Sequence, residues 1–416
     1  MPSIRKGLLQ LVFSGSFMKR WNDKLRPMEL VEMDKQGHKM IVAWALGELA
    51  AQGLPEDQAV RLREDIVRGG IFDYLYRLVI TDIKPPVFYQ IKANPDHYGR
   101  LTAWVLEQLR PRVQPLGREF WDDLCAHCHR QGREEESLAE SILAAAHLFA
   151  SRWEFHLIRP LNPWDDEMAE IEANFQQGLV RRQHLAGVAD LLEAPATALG
   201  RFVTLCGTLR FQKRWSQTPR IPETSVLGHM FLVACLAYFF SIVVGACSAR
   251  RCNDFYAGLF HDVPELLTRD IISPVKGSVA GIDDLIREYE KRELERRLFA
   301  ILDTPVTRPL ADSLRYLLGL EVGSEFCDLV TLDGRPACVN WEQLQGTFNE
   351  DRFAPKDGRM LKICDQLAAF LEAYTSKTHG VVNDHLQQAL WRIRSRLGQE
   401  ALTEEVHIGA LLADFD

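Results

Sequence analysis

This sequence predicts an all-α protein made of two tandem helical repeats, and three observations carry that expectation. Apolar residues recur three and four apart across His38–Ala51, Ser137–Phe155, Asp283–Leu302 and Gly358–Tyr374, the period of helices with one buried face, while alternating strand patterns are scarce. Proline and glycine collect between such stretches, at Lys84-Pro85-Pro86, Pro160–Pro163, Pro219–Pro222 and Leu332–Pro336, where they interrupt helices with turns. Short words of sequence also return, in one order, after nearly half the chain.

Lys19-Arg20-Trp21 returns as Lys213-Arg214-Trp215, 194 residues on, and Gly37-His38 returns as Gly228-His229 after 191. Gly70-Ile71-Phe72 is echoed by Gly258-Leu259-Phe260, and Asp82-Ile83 with Pro86-Val87 by Asp270-Ile271 with Pro274-Val275, all at 188. Each match is short enough to arise by chance. Two three-residue length changes nevertheless bring all of them into register, which points to a duplicated domain. The boundary is placed near Glu193–Thr197, where Ala-Pro-Ala-Thr precedes a new apolar helix, dividing the chain into residues 1–193 and 194–416.

The composition of the 416 residues, 47% apolar and 25% charged, is that of a soluble globular protein. A net charge of -8 argues against polymeric nucleic acid as a partner, because such binding draws on clustered Lys and Arg. A small anionic substrate needs only a few local cations and stays open. Nine scattered cysteines without a disulfide spacing read as reduced thiols, and the short apolar run Leu8–Phe13 makes a poor signal peptide, so a cytoplasmic protein is expected. Met230–Cys247 carries no charge over eighteen residues and is a candidate membrane span by length. The histidine heading that run and the acidic motif that follows favour a buried core helix instead, with no membrane partner.

The richest stretch runs from Phe260 to Asp270. His261 and Glu265 are four apart, so on a helix they share a face, with Asp262 beside Glu265. Such a cluster can hold a divalent metal and a water. Further ligands must come from other helices: His229 stands 32 residues earlier at the head of the apolar run, and Asp365 lies within the mostly apolar Leu361–Ala368. A carboxylate there needs a partner, since an unpaired buried one is costly. Imidazole with carboxylate suits zinc, manganese, cobalt or iron.

The order His229, His261-Asp262, Asp365 resembles the signature of the HD superfamily of metal-dependent phosphohydrolases. Arg214-Trp215, fifteen residues before His229, and the run His-Asp-x-x-Glu-x-Leu-Thr-x-Asp-x-x-x-Pro-Val-Lys from His261 to Lys276 resemble, more narrowly, the bacterial 5'-deoxynucleotidases of the YfbR type. The resemblance spans about 180 residues, Ala198 to Thr378. It implies two tandem HD-domain-like repeats, the first degenerate and the second catalytic. It also implies that His229, His261, Asp262 and Asp365 hold one divalent ion (Mn, Co, Zn, Fe or Mg), that Glu265 positions or deprotonates the attacking water, and that Asp270 meets the sugar hydroxyl. Arg214 and Trp215 would face phosphate and nucleoside, although Trp215 fits core packing as well, and Lys276 would add charge or be a solvated surface lysine. The substrate implied is a small nucleotide, a deoxynucleoside 5'-monophosphate first. A nucleotide triphosphohydrolase and a non-catalytic nucleotide sensor are the rivals.

The sequence departs from that pattern in three places. Gly228 replaces the acidic or polar residue expected before the first histidine, Pro264 interrupts the motif helix, and residues 320–357 exceed the family core and read as a folded insertion. In the first repeat Asp73-Tyr74 stands for His261-Asp262, Arg77 for Glu265 and His147 for Asp365, which removes the chemistry; a reshaped site from His38, Asp73 and His147 is the alternative. Cys125-Ala126-His127-Cys128-His129 contains a haem-attachment string, but no export signal or axial ligand supports it and it reads as coincidence. Fusion of two such units into one chain would make an internal pseudo-dimer, and a homo-oligomer is a further expectation.

Overall fold

The computed structural model describes residues 3–130, 136–268, 282–403 and 406–416. Helix makes up 69% of it and strand 5%, an all-α protein. Six helices position everything that follows: α1 (Glu32–Ala51), α2 (Glu56–Ile80), α3 (Leu138–Ile158), α4 (Val226–Val243), α5 (Ser248–Phe260) and α6 (Gly358–Thr378). In the first half α1 packs on α2 and α3; in the second α4 packs on α5 and α6; and α1 lies against α4 at the centre. One continuous apolar core therefore runs through both halves.

Local chemistry sets the ends of these helices. Ser137 opens α3 with a capping box shared with Glu140. Ser225 opens α4, its Oγ accepting from the Gly228 N–H at 2.9 Å, and the Asp357 carboxylate opens α6 by accepting from Met360 N–H at 2.8 Å. Helix α4 is long and apolar enough to cross a membrane, but 89% of it is buried within the protein, because α1, α5 and α6 cover it.

The expected helix through His261 and Glu265 does not form. Helix α5 stops at Phe260, a turn carries residues 261–264, and a separate short helix spans Glu265–Thr268. Pro264 explains the break, since it lacks an N–H and disfavours helical geometry at Val263. The turn closes through Val263 N–H to Phe260 O and Glu265 N–H to Asp262 O.

Residues 320–357 contain an antiparallel hairpin, β1 (Leu329–Leu332) with β2 (Arg335–Cys338), followed by the short helix Trp341–Gln345. Cys327 and Cys338, expected as free thiols, are joined as a disulfide with Cα atoms 6.2 Å apart. Strand pairing brings Cys338 opposite Leu329, two residues from Cys327, a proximity that spacing in the chain does not reveal. The segment is fastened to α5 by the buried Arg250, whose Nη1 donates to Gln345 and Nη2 to Asp357, both at 2.8 Å.

Several contacts occur once in each half. Trp21 and Trp215 both have φ 57, an uncommon value for a bulky residue. Lys19 bridges Val31 as Lys213 bridges Ser225, and Arg20 N–H donates to Leu30 O as Arg214 N–H does to Thr224 O. The Trp21 indole donates to Glu154 Oε2 at 3.0 Å and the Trp215 indole to Glu372 Oε2 at 2.7 Å.

Candidate metal centre

His229 lies in the first turn of α4, its side chain fully buried. Its Nε2 is 3.0 Å from Asp365 Oδ1, on α6, and 3.8 Å from Asp262 Oδ2. His261 follows the end of α5, where its Nδ1 stands 2.8 Å from Gly258 O. A carbonyl only accepts, so Nδ1 carries a proton and Nε2 is the ring atom turned to the cluster. That Nε2 is 3.2 Å from Asp262 Oδ2 and 4.0 Å from Asp365 Oδ1, buried and without a hydrogen bond.

Two imidazole nitrogens and two carboxylate oxygens thus converge, and acceptor atoms this close need a proton or a cation among them. Such ligands sit about 2.0–2.2 Å from a divalent transition metal, so atoms 3.0–4.0 Å apart can share one ion. His229, His261 and Asp262 form a group with metal-ligand spacing, and Asp365 Oδ1 stands at its edge, 3.0 Å from His229 and 4.0 Å from His261. The buried, unbonded Nε2 of His261 is the observation that fits a cation best.

The electrostatics agree. Burial alone would pull the His261 imidazole down, but the Asp262 carboxylate beside it, with help from Asp365, holds it up at about 9, so without a cation Nε2 carries a proton among the acids, at the place a metal ion would take. Burial would push Asp262 up, yet His261 and then Arg214 hold it well below the usual carboxylate range. Asp365 is likewise lowered, burial being outweighed by its bond to His229. Both acids are therefore anionic.

Arg214, expected to face phosphate, reaches Asp262 Oδ2 with Nη1 at 3.1 Å, and its Nε lies 3.6 Å from Glu372 Oε2. Trp215 is packed against the core and its indole N–H is committed to Glu372. Glu265 is buried, and its backbone carbonyl accepts from Gln212 Nε2 at 3.0 Å. Asp270 and Lys276 lie outside the described residues.

Two residues of this site escaped the reading of the sequence. Glu372 is fully buried behind His229, with Oε1 3.6 Å from His229 Nδ1 and accepting from Thr224 Oγ1 at 2.6 Å, so its carboxylate lies against the far side of the imidazole. Burial would raise Glu372, but Arg220 and Arg214 hold it well below its usual range. Its signal was present: Glu372 follows Asp365 by seven residues on one helix, hence on the same face. The other is Asp34, from α1. Its Oδ1 accepts from Ser225 Oγ at 2.6 Å and would stand 2.6 Å from a Cβ at residue 228. The space left by Gly228 is thus filled by a carboxylate from the first half.

His38, matched with His229 by sequence, is not its counterpart in space. Its Nε2 is 2.9 Å from Val203 O and its ring packs on Phe149 and Trp153, between the halves. The word Gly-His recurs out of step with the helix. Lys35 holds the position four residues beyond Val31, as His229 stands four beyond Ser225, each N–H donating to that residue's carbonyl. His127 and Cys128 of the haem-like string point inward, His127 bonding Asp73 at 3.0 Å.

Residues 206–394, just under half of the chain, match the HD domain family. This match supports an HD-superfamily phosphohydrolase and, with it, binding of a divalent metal. No curated protein and no solved structure matches the chain significantly.

Proposed function

We propose that the second half hydrolyses the phosphate ester of a small nucleotide, a deoxynucleoside 5'-monophosphate, using one divalent ion held by His229, His261, Asp262 and Asp365. The convergence of those four donor atoms, with His261 Nε2 left facing them, carries the proposal. When bound, such an ion acts as a Lewis acid and lowers the pKa of a water toward neutrality. Glu265 takes a proton from the attacking water. The water oxygen bonds to phosphorus while the bond from phosphorus to the nucleoside 5'-oxygen breaks, and that oxygen leaves with a proton from solvent. Arg214, held in place by Asp262, stabilises charge growing on the phosphoryl oxygens. Among the described residues it is the guanidinium bonded to the ligand cluster, which suits one phosphate group better than three. We assign Asp270 to the sugar hydroxyl and Lys276 to added positive charge.

We also read the halves as related HD-like units, 1–193 and 194–416, fused as an internal pseudo-dimer. The paired tryptophan and glutamate contacts, and the packing of α1 on α4, support this reading. The test is direct: the purified chain is incubated with deoxy- and ribonucleoside mono- and triphosphates and Mn, Co or Mg, and the products are separated. Release of inorganic phosphate from a deoxynucleoside monophosphate is expected. Triphosphate release from a triphosphate, or tight binding without any product, would overturn the assignment.

A further inference from the structure

The first half carries a buried cationic cluster where the second carries its metal ligands. Lys35 stands at the helical position of His229, and its Nζ donates to His147 Nδ1 at 2.7 Å, just as His229 meets Asp365. His147 precedes Glu154 by seven residues as Asp365 precedes Glu372. Asp73 lies three residues beyond Gly70, which packs on Met40, and His261 three beyond Gly258, which packs on Ala234. Lys39 Nζ bonds Asp73 Oδ2 at 2.6 Å. Of the five positions that hold Asp262, Glu265 and Asp365 with the two histidines in the second half, the first half has Lys35, Asp73, Tyr74, Arg77 and His147, a single carboxylate.

That carboxylate is already engaged, since Asp73 accepts from both Lys39 and His127. Glu32 is taken by Arg20 and Gln36, each at 2.7 Å, and Glu154 by Arg20, Trp21 and Arg210. Lys35 is 1% exposed and, among the described residues, has no carboxylate within ion-pair distance. Burial pulls its ammonium down to about 7, with Glu32 only partly opposing. An ammonium with three donors, one of them used, is costly to bury without an anion. His147 beside it is exposed and gives the cluster an edge at the solvent, where Arg77, at 22% side-chain exposure, stands 3.6 Å from Glu32 and 3.4 Å from Asp82.

We propose that this cluster binds the phosphate group of a small phosphorylated molecule, with Lys35 and Lys39 in place of a metal ion and Arg77 in place of the general base, and without turnover. The proposal rests on reading the two halves as related units. Positive charge is here part of the chain, so binding needs no metal, and the absence of both paired ligands and base leaves a bound ester intact.

The experiment uses the full chain carrying Asp365→Ala, treated with chelator, and titrates it with inorganic phosphate and with deoxyadenosine monophosphate by calorimetry. One equivalent of either probe should bind, and adding Lys35→Met should weaken binding at least tenfold. Arg77→Gln, nearer solvent and less exposed to folding failure, should weaken it severalfold. No binding by the Asp365→Ala protein, or binding indifferent to both Lys35→Met and Arg77→Gln, overturns the proposal. Metal content is measured separately: an Asp365→Ala protein that still holds metal counts against the second-half assignment and leaves the lysine readout intact.

Discussion

The two halves repeat a set of outer contacts, a tryptophan indole on a buried glutamate, around different charges. In the second, two imidazole nitrogens and two carboxylate oxygens from α4, α6 and the turn after α5 converge, and Glu372 lies 3.6 Å behind His229. In the first, Glu154 holds Trp21 and Arg20 as Glu372 holds Trp215, but nearby Lys35 meets His147 and Lys39 meets Asp73. Outer contacts persist while inner ones change. The frame of this fold is therefore separable from its chemistry: Arg20, Trp21 and Glu154 keep helix ends together, and nothing in that task requires a metal.

The sharpest break of this comparison removes a ligand on one side only. Asp262→Ala should abolish metal binding and bring turnover to background with helix content retained, because it takes away a ligand and the anchor of Arg214 together. Elemental analysis with circular dichroism checks it, and unchanged metal stoichiometry would remove Asp262 from the ligand set. Tyr74→Ala, at the matching place, should leave metal content as it was.

Next in size is Glu265→Gln, expected to retain metal and lose turnover by roughly 10²–10⁴-fold, the range for a missing general acid or base. Full activity in steady-state phosphate release would end its assignment as base.

A stability test follows from Lys35. Its ordinary value of 10.5 is pulled to about 7 in the fold. Between those values the unfolded chain holds a proton that the folded chain has lost, so stability rises with pH over that window, and the full cost is felt below pH 7. Lys35→Met should thus be more stable than the parent at pH 6, by on the order of a few kcal/mol, with the gain fading toward pH 10.5. Urea midpoints at pH 6 and 10 measure it; an equal gain at both would show that the charge is not its source. Arg20, Glu32, Lys39, His147 and Glu154 surround the amine and remain.

The smallest effect joins the halves. Gly228→Ala sets a Cβ 2.6 Å from Asp34 Oδ1 and should cost about 1–3 kcal/mol, as overpacking does. In an Asp34→Gly background most of that cost should vanish, and strict additivity in a double-mutant cycle would show that the two do not meet.

Much of this site was legible from residue order. The His229, His261-Asp262 and Asp365 spacing could be read because ligand identity is a property of the residues themselves, and helical periodicity could be read because burial has a 3.6-residue signature. The shared face of His261 and Glu265 was misread, since Pro264 ends the helix between them. His38 was misread too: matching letters chose Gly-His over Lys35, whereas helix phase, set at Val31 and Ser225, decides which side chain points inward.

The sequence by itself determined a mainly helical chain, the recurring words and the candidate ligand residues, because composition, period and spacing are local properties. Only the tertiary structure decided that Asp34 fills the space beside Gly228, that Glu372 backs His229, and that Cys327 meets Cys338. It alone decided that Lys35 meets His147 and Lys39 meets Asp73. Those pairings join residues far apart in the chain, and their energies depend on distance and burial, quantities that arise only when the helices pack.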